Sequence, residues 1–192
     1  GGNARLTAGS VILDAPVVSD DPSMEEAWRP ENSSREFGGP TRLREALVRS
    51  RNLVSIRVLQ AIGINAAIDH AMRFGFAREA LPRNLTLALG TLSATPLEMA
   101  SAFSVFANGG HRIQPYFIER IEDPTGKVVY EAAPRVVSDA CERREASCAL
   151  PKERLAERAI SAENAWLMDS MMADVISRGT GRRALALGVT TY

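Results

Sequence analysis

The chain has 192 residues, enough for one domain with a real apolar core. Lys+Arg and Asp+Glu balance at 23 each, so no net field draws nucleic acid or an anionic membrane surface. No apolar run reaches membrane-span length, because Pro96, Glu98 and Gly109-Gly110 interrupt the most apolar stretch, and no stretch reads as a secretory signal.

Residues 1–40 are rich in turn formers and read as irregular chain, with a short strand at Val11-Ile12-Leu13 and an arbitrary cut at Gly1-Gly2. Residues 41–110 read as helical. After Pro40, Leu43, Ala46 and Leu47 fall at i, i+3 and i+4, and the pattern resumes after Asn52 with Leu53, Ile56, Val58, Leu59 and Ile62 up to Gly63. A third helix runs from about Asn65 to Arg73. "TPLE" at 95–98 predicts a capped helix start, with Thr95 as N-cap, Pro96 at the first position and Glu98 completing a capping box. That helix carries Leu97, Ala100, Phe103, Ser104 and Ala107 on one face and stops at "NGG", 108–110.

Residues 115–132 hold two β-rich runs, "YFIERIE" and "KVVYEA", joined by "DPTG", where Pro presets φ and Gly accepts a positive one; a hairpin is expected. Residues 134–158 are charged and bounded by prolines, as in an exposed insertion. Residues 161–188 open on a helix capped by Ser161, with Ala165, Met168, Met172, Val175 and Ile176 as its apolar stripe, and close on a Gly-rich turn. The fold class read from these elements is mainly α with a β-hairpin.

Chemistry is sparse. His70 and His111 stand far apart in no metal-binding pattern, and no cofactor or metal is expected. Cys141 and Cys148 frame "CERREASC"; the residues alone leave a local disulfide and two free thiols equally open. "RGTGRRA" (178–184) has the composition of a phosphate grip, but it follows a helix instead of opening one, so a Gly cap and tight turn is the better description. That leaves Ser50-Arg51-Asn52, between two predicted helices. Ser and Asn are ordinary turn formers, because their side chains bond local backbone groups.

The surrounding segments carry more. "LREALVRSRNLVSIRVLQAIG" (43–63) resembles the segment around the second active-site motif of class A, bifunctional penicillin-binding proteins. "LALGTLSATPLEMASAFSVFANGG" (87–110) is similar to the stretch that follows that motif, and "RGTGRRALALG" (178–188) to the approach to the third. "LDAPV" (13–17) and "WRPEN" (28–32) fit the pattern upstream, so the resemblance covers roughly residues 6–188.

The resemblance implies the helical part of the α/β transpeptidase fold, truncated, from a serine-type D,D-transpeptidase that cross-links peptidoglycan stem peptides and is acylated by β-lactams. Three motifs build such a site: Ser-x-x-Lys, Ser-x-Asn and Lys-Thr-Gly. The first Ser attacks with its Lys as base, and the Ser of the second relays a proton between that Lys and the leaving or incoming amine. The Asn of the second motif orients the substrate backbone. Carried over, this assigns Ser50 and Asn52 as catalytic residues, with Arg51 at the variable position.

Neither lysine fits the other two motifs: Pro124 stands three residues before Lys127 and Ala149 three before Lys152, and "VTTY" (189–192) supplies no Lys-Thr-Gly. The expectation is a chain inactive alone, from a parent at the periplasmic face of the inner membrane with an anchor and a glycosyltransferase domain. Apolar surface meant for the family's central sheet would then favour a complementary chain or self-association. The alternative is a non-catalytic binding or scaffold module derived from the same fold, which would bind stem peptide or a protein without forming a β-lactam adduct. An unrelated helical domain would need the matches at 87–110 and 178–188 to be coincidence.

Overall fold

The computed structural model describes residues 6–18 and 28–188. Gly1-Gly2, part of the irregular segment after Val18, and "VTTY" lie outside the described residues. In chain order the elements are strands β1 (Val11–Asp14) and β2 (Gly39–Arg42), then helices α1 (Leu43–Val48), α2 (Asn52–Ile62), α3 (Ile64–Arg73) and α4 (Pro96–Ala107). Strands β3 (His111–Arg112), β4 (Arg120–Glu122) and β5 (Val128–Glu131), helix α5 (Asp139–Glu142), strand β6 (Glu157–Arg158) and helix α6 (Ala162–Arg178) follow. Among the described residues helices dominate and the strands form three antiparallel pairs, β1 with β2, β3 with β6 and β4 with β5.

The residues fall into two compact units. The first takes Gly1–Met72, Phe76–Ala94 and Trp166–Tyr192; the second takes Arg73–Gly75 and Thr95–Ala165.

In the first unit the core forms on one face of α2. Leu53 and Ile56 are fully buried, packed with Val17 and flanked by Trp28, Leu85 and Ala88. Burying a Leu or Ile side chain of this kind stabilises by about 1.5–3 kcal/mol. Val17 comes from "LDAPV" and Trp28 from "WRPEN", so both upstream segments serve as cover for α2. The segment expected to be irregular supplies a strand on each side: Val11 pairs Arg42 and Asp14 pairs Gly39. Residues 39–42 are thus strand, and α1 begins only at Leu43. Backbone pairing between partners as far apart as Asp14 and Gly39 leaves no local signal, so Thr41 and Arg42 are read from the sequence as part of the helical segment.

In the second unit α4 has the expected start. The Thr95 hydroxyl accepts the Glu98 N–H (3.2 Å) and the Glu98 carboxylate accepts the Thr95 N–H (2.7 Å). Its buried residues lie off the face that carries Leu97 and Phe103. Ala102 and Val105 are buried, while Leu97 is 43% and Phe103 53% exposed. Apolar residues run round the whole helix, so their spacing does not choose a side. On helix α6 the predicted stripe is only partly the buried one: Ala165 is buried as expected, Met171, outside the stripe, is also buried, and Met168 and Met172 are half-buried.

Gly110 ends α4 at φ +93°, where an added Cβ would overlap the Ile160 carbonyl. Its own carbonyl accepts the N–H groups of Ala159 (2.8 Å) and Ile160 (3.2 Å). The hairpin forms as β4 and β5, with Ile121 opposite Tyr130. The charged insertion is tied down at three places. Cys141 and Cys148 form a disulfide with Cα atoms 4.7 Å apart, resolving the alternative left open above. Val136 bridges Leu155. Buried His111 meets Glu142 through Nε2, and Arg158 grips the same carboxylate with Nε at 3.0 Å and NH2 at 2.6 Å. The Arg158 hydrogen bonds, and after them His111, hold the Glu142 carboxyl below its usual range.

Candidate functional site

Ser50-Arg51-Asn52 is a helix C-terminus followed at once by a helix start. The Arg51 N–H donates to the Ala46 carbonyl (2.8 Å) and the Ser50 N–H to Leu47 (3.0 Å), the pair of bonds that closes a Schellman motif. The residue between must then be left-handed, and Ser50 is, at φ +50°. Glycine is the usual occupant, because a Cβ in that conformation costs about 1–2 kcal/mol. A serine held there retains its hydroxyl at the expense of backbone strain.

That hydroxyl is exposed and lies 2.8 Å from the Thr180 hydroxyl, 130 residues away in the chain. The approach is built by the backbone. After α6 ends, the Gly179 and Gly181 N–H groups both return to the Val175 carbonyl at 3.1 Å, the tight turn expected from the sequence. The Thr180 N–H donates to the Val48 carbonyl (3.1 Å), and a Cβ at Gly179 would overlap that same oxygen. Ion pairs fasten the end of α6 to α1: Arg178 bonds Glu45 and Asp174, and Arg44 reaches Asp174 (3.0 Å) and the Ser170 carbonyl (3.1 Å). Hydrogen bonds from Arg178 hold the Glu45 carboxyl below the usual range, and Arg178 with Arg44 does the same for Asp174. An open pocket of about 680 Å³ results, with Ser34, Glu45, Arg49, Ser50, Arg178 and Thr180 among its lining.

Beneath the turn lies a polar network that sequence reasoning missed. Asp14 is fully buried and Asn32 is 3% exposed. The Asn32 amide donates to Asp14 (2.7 Å) and to the Glu36 carbonyl (2.9 Å), and the Gly38 N–H donates to the other Asp14 oxygen (2.9 Å). Arg51 completes the set, with Nε 3.6 Å from Asp14 and its NH1 donating to the Ser34 hydroxyl (3.1 Å) and the Glu36 carbonyl (3.2 Å). Arg51, given no role from the sequence, anchors the turn. The signal was the aspartate closing the apolar run "VILD", a polar residue at a position where alternation expects burial.

Asn52 opens α2, and its amide nitrogen donates to the Glu31 carbonyl (2.8 Å). One amide proton is therefore committed to "WRPEN". Among the described residues the hydrogen-bond partner of the Ser50 hydroxyl is the neutral Thr180 hydroxyl. Among the described residues no group of His, Cys, Asp and Glu could hold a metal ion, and no helix is long and apolar enough to cross a membrane.

This fold and turn define a class: the chain belongs to the penicillin-binding protein transpeptidase family, whose model, described as the penicillin binding protein transpeptidase domain, matches residues 14–192. Within it the chain is similar to penicillin-binding protein 1A of Pseudomonas aeruginosa, 47% identical over 95% of this chain and 26% of that protein. Penicillin-binding protein 1A of Vibrio cholerae is 40% identical over 96% of this chain and 24% of its own length. The crystal structure of penicillin-binding protein 1A from Haemophilus influenzae superposes with a TM-score of 0.78 at 38% identity, covering 92% of this chain and 28% of that one. The chain thus spans about a quarter of the length of the relatives it matches, and its fold is part of the transpeptidase domain, as the sequence resemblance implied.

Proposed function

We infer that this chain supplies the Ser-x-Asn portion of a peptidoglycan D,D-transpeptidase site. Ser50 passes a proton from the lysine base to the leaving amine, and Asn52 orients the substrate's peptide backbone with the amide groups left after its bond to Glu31. The observation that carries this is the serine in a glycine's place: Ser50 keeps a strained left-handed conformation and presents its hydroxyl to an open pocket. Stem peptides ending in D-Ala-D-Ala are the substrates and β-lactams their mimics.

The 192-residue polypeptide contains neither Ser-x-x-Lys nor Lys-Thr-Gly, so on this proposal it performs no acyl transfer alone, because Ser50 and Asn52 presuppose the nucleophile. The complete enzyme works at the periplasmic face of the inner membrane, with an anchor and a glycosyltransferase domain. The Cys141–Cys148 disulfide supports an oxidising compartment. The exposed apolar hairpin, with Phe117 87% accessible, supports burial against a complementary chain or another copy.

Incubation with a penicillin followed by intact-mass measurement tests the assignment. No adduct is expected on this chain. In the complete polypeptide one adduct is expected on a serine outside these 192 residues, and Ser50→Ala should slow its formation ~100-fold or more. A stoichiometric adduct on the isolated chain, or unchanged acylation of the Ser50→Ala enzyme, contradicts it.

A further inference from the structure

We propose that Thr180 is a positioning residue for the proton relay, acting through its hydroxyl on Ser50; this rests on the relay role proposed for Ser50 above. Four observations converge on it. The two hydroxyl oxygens are 2.8 Å apart, a full hydrogen bond between exposed side chains. The Thr180 main chain is pinned to Val48, two residues before Ser50, by a 3.1 Å hydrogen bond. Gly179 permits that approach, since any side chain there would strike the Val48 carbonyl. Arg178, the residue before it, is tied to both Glu45 on α1 and Asp174 on α6. An exposed threonine used only as turn filler needs none of this construction.

A lone serine hydroxyl on a turn rotates among its staggered rotamers, and a relay works in only one of them. Thr180 can donate or accept, so it satisfies Ser50 in either state. While Ser50 holds its proton toward the site, Thr180 donates to the Ser50 oxygen. In acylation the nucleophile's C–O bond forms and the substrate's C–N bond breaks. The nucleophile's proton goes to the lysine base; Ser50 takes one proton from that base and gives its own to the leaving nitrogen. Ser50 ends with one proton and Thr180 keeps the one it began with, so no proton is routed through Thr180.

The experiment uses the complete polypeptide and a fluorescent penicillin, with the binding constant and the acylation rate constant separated by stopped flow. Thr180→Val keeps shape and backbone N–H but loses the hydroxyl; Thr180→Ser keeps the hydroxyl; Ser50→Ala is the reference. The expected result is a ~10-fold or greater fall in the acylation rate constant for Thr180→Val, with binding and melting temperature held. Thr180→Ser recovers most of it. Wild-type acylation by Thr180→Val beside a slow Ser50→Ala overturns the role of Thr180 and leaves that of Ser50 standing. Equal slowing by Val and Ser, tracking a loss of melting temperature, makes Thr180 a structural residue and also overturns it. Unimpaired Ser50→Ala overturns the relay itself.

Discussion

The two units are stabilised by different means. The first buries Leu53, Ile56, Val54, Val48 and Ile68 almost completely and sets buried Asp14 and Asn32, with half-buried Arg51 beside Asp14, under the turn that carries Ser50. The second buries fewer large side chains, leaves Tyr116, Phe117, Ile118 and Val129 at least half exposed, and relies on a disulfide and the His111–Glu142–Arg158 cluster. A strained functional turn needs surroundings that over-determine it, and packed core with satisfied polar groups provides them. A small unit short of core is held by cross-links instead. On the role proposed for Ser50, precision for chemistry belongs to the first unit.

The largest effect should come from breaking that support. Asp14→Ala removes the acceptor for Asn32, Gly38 and Arg51 in a buried setting, and should destabilise the first unit by about 3–4 kcal/mol. Urea unfolding followed by circular dichroism measures it; a loss under about 1 kcal/mol would show that apolar packing alone fixes the turn. Next is the paired Cys141→Ser and Cys148→Ser change, which opens a short loop and should cost about 2 kcal/mol. Amide exchange should show the loss within the second unit only, and spread into α2 would break the contrast between the units.

A smaller change is Thr95→Ala, which removes the capping box of α4 and should cost about 1 kcal/mol, read as faster exchange in its first turn. Acid gives the finest test. The Glu142 carboxyl is depressed in the folded chain by Arg158 and His111, so its contribution is present above the unfolded carboxylate range. It is lost as pH falls through the lower folded value. A pH titration of thermal stability should show this in wild type and not in Glu142→Gln; an identical acid profile would remove the cluster from the account of the second unit.

Much of this was visible before any coordinates. The α4 cap, the hairpin turn at "DPTG" and the helices at 52–62 and 64–73 all carry local chemical signals: a cap residue, a turn pair, a repeat of apolar positions; Ser50 and Asn52 are singled out only by the family resemblance of the segments around them. What stayed hidden depends on distance along the chain. Nothing near Thr180 says that its hydroxyl will meet one 130 residues earlier. Nothing in "VILD" says which cation Asp14 will face. Spacing along α4 selects no buried face because apolar residues surround that helix, and only tertiary packing selects Ala102 and Val105 over Leu97 and Phe103. The cysteines offered two states of equal standing, and the fold of the insertion decided between them.

The most direct test concerns why a serine sits where glycine fits better. Ser50→Gly in the complete polypeptide should leave the fold as stable or more so, by about 0.5–1 kcal/mol once the left-handed strain is relieved against glycine's greater freedom. On the same samples, the rate of acylation by a penicillin should fall ~100-fold or more, because the hydroxyl is gone. A glycine variant that acylates at the wild-type rate, or that loses stability in step with activity, would contradict the assignment of Ser50 to chemistry.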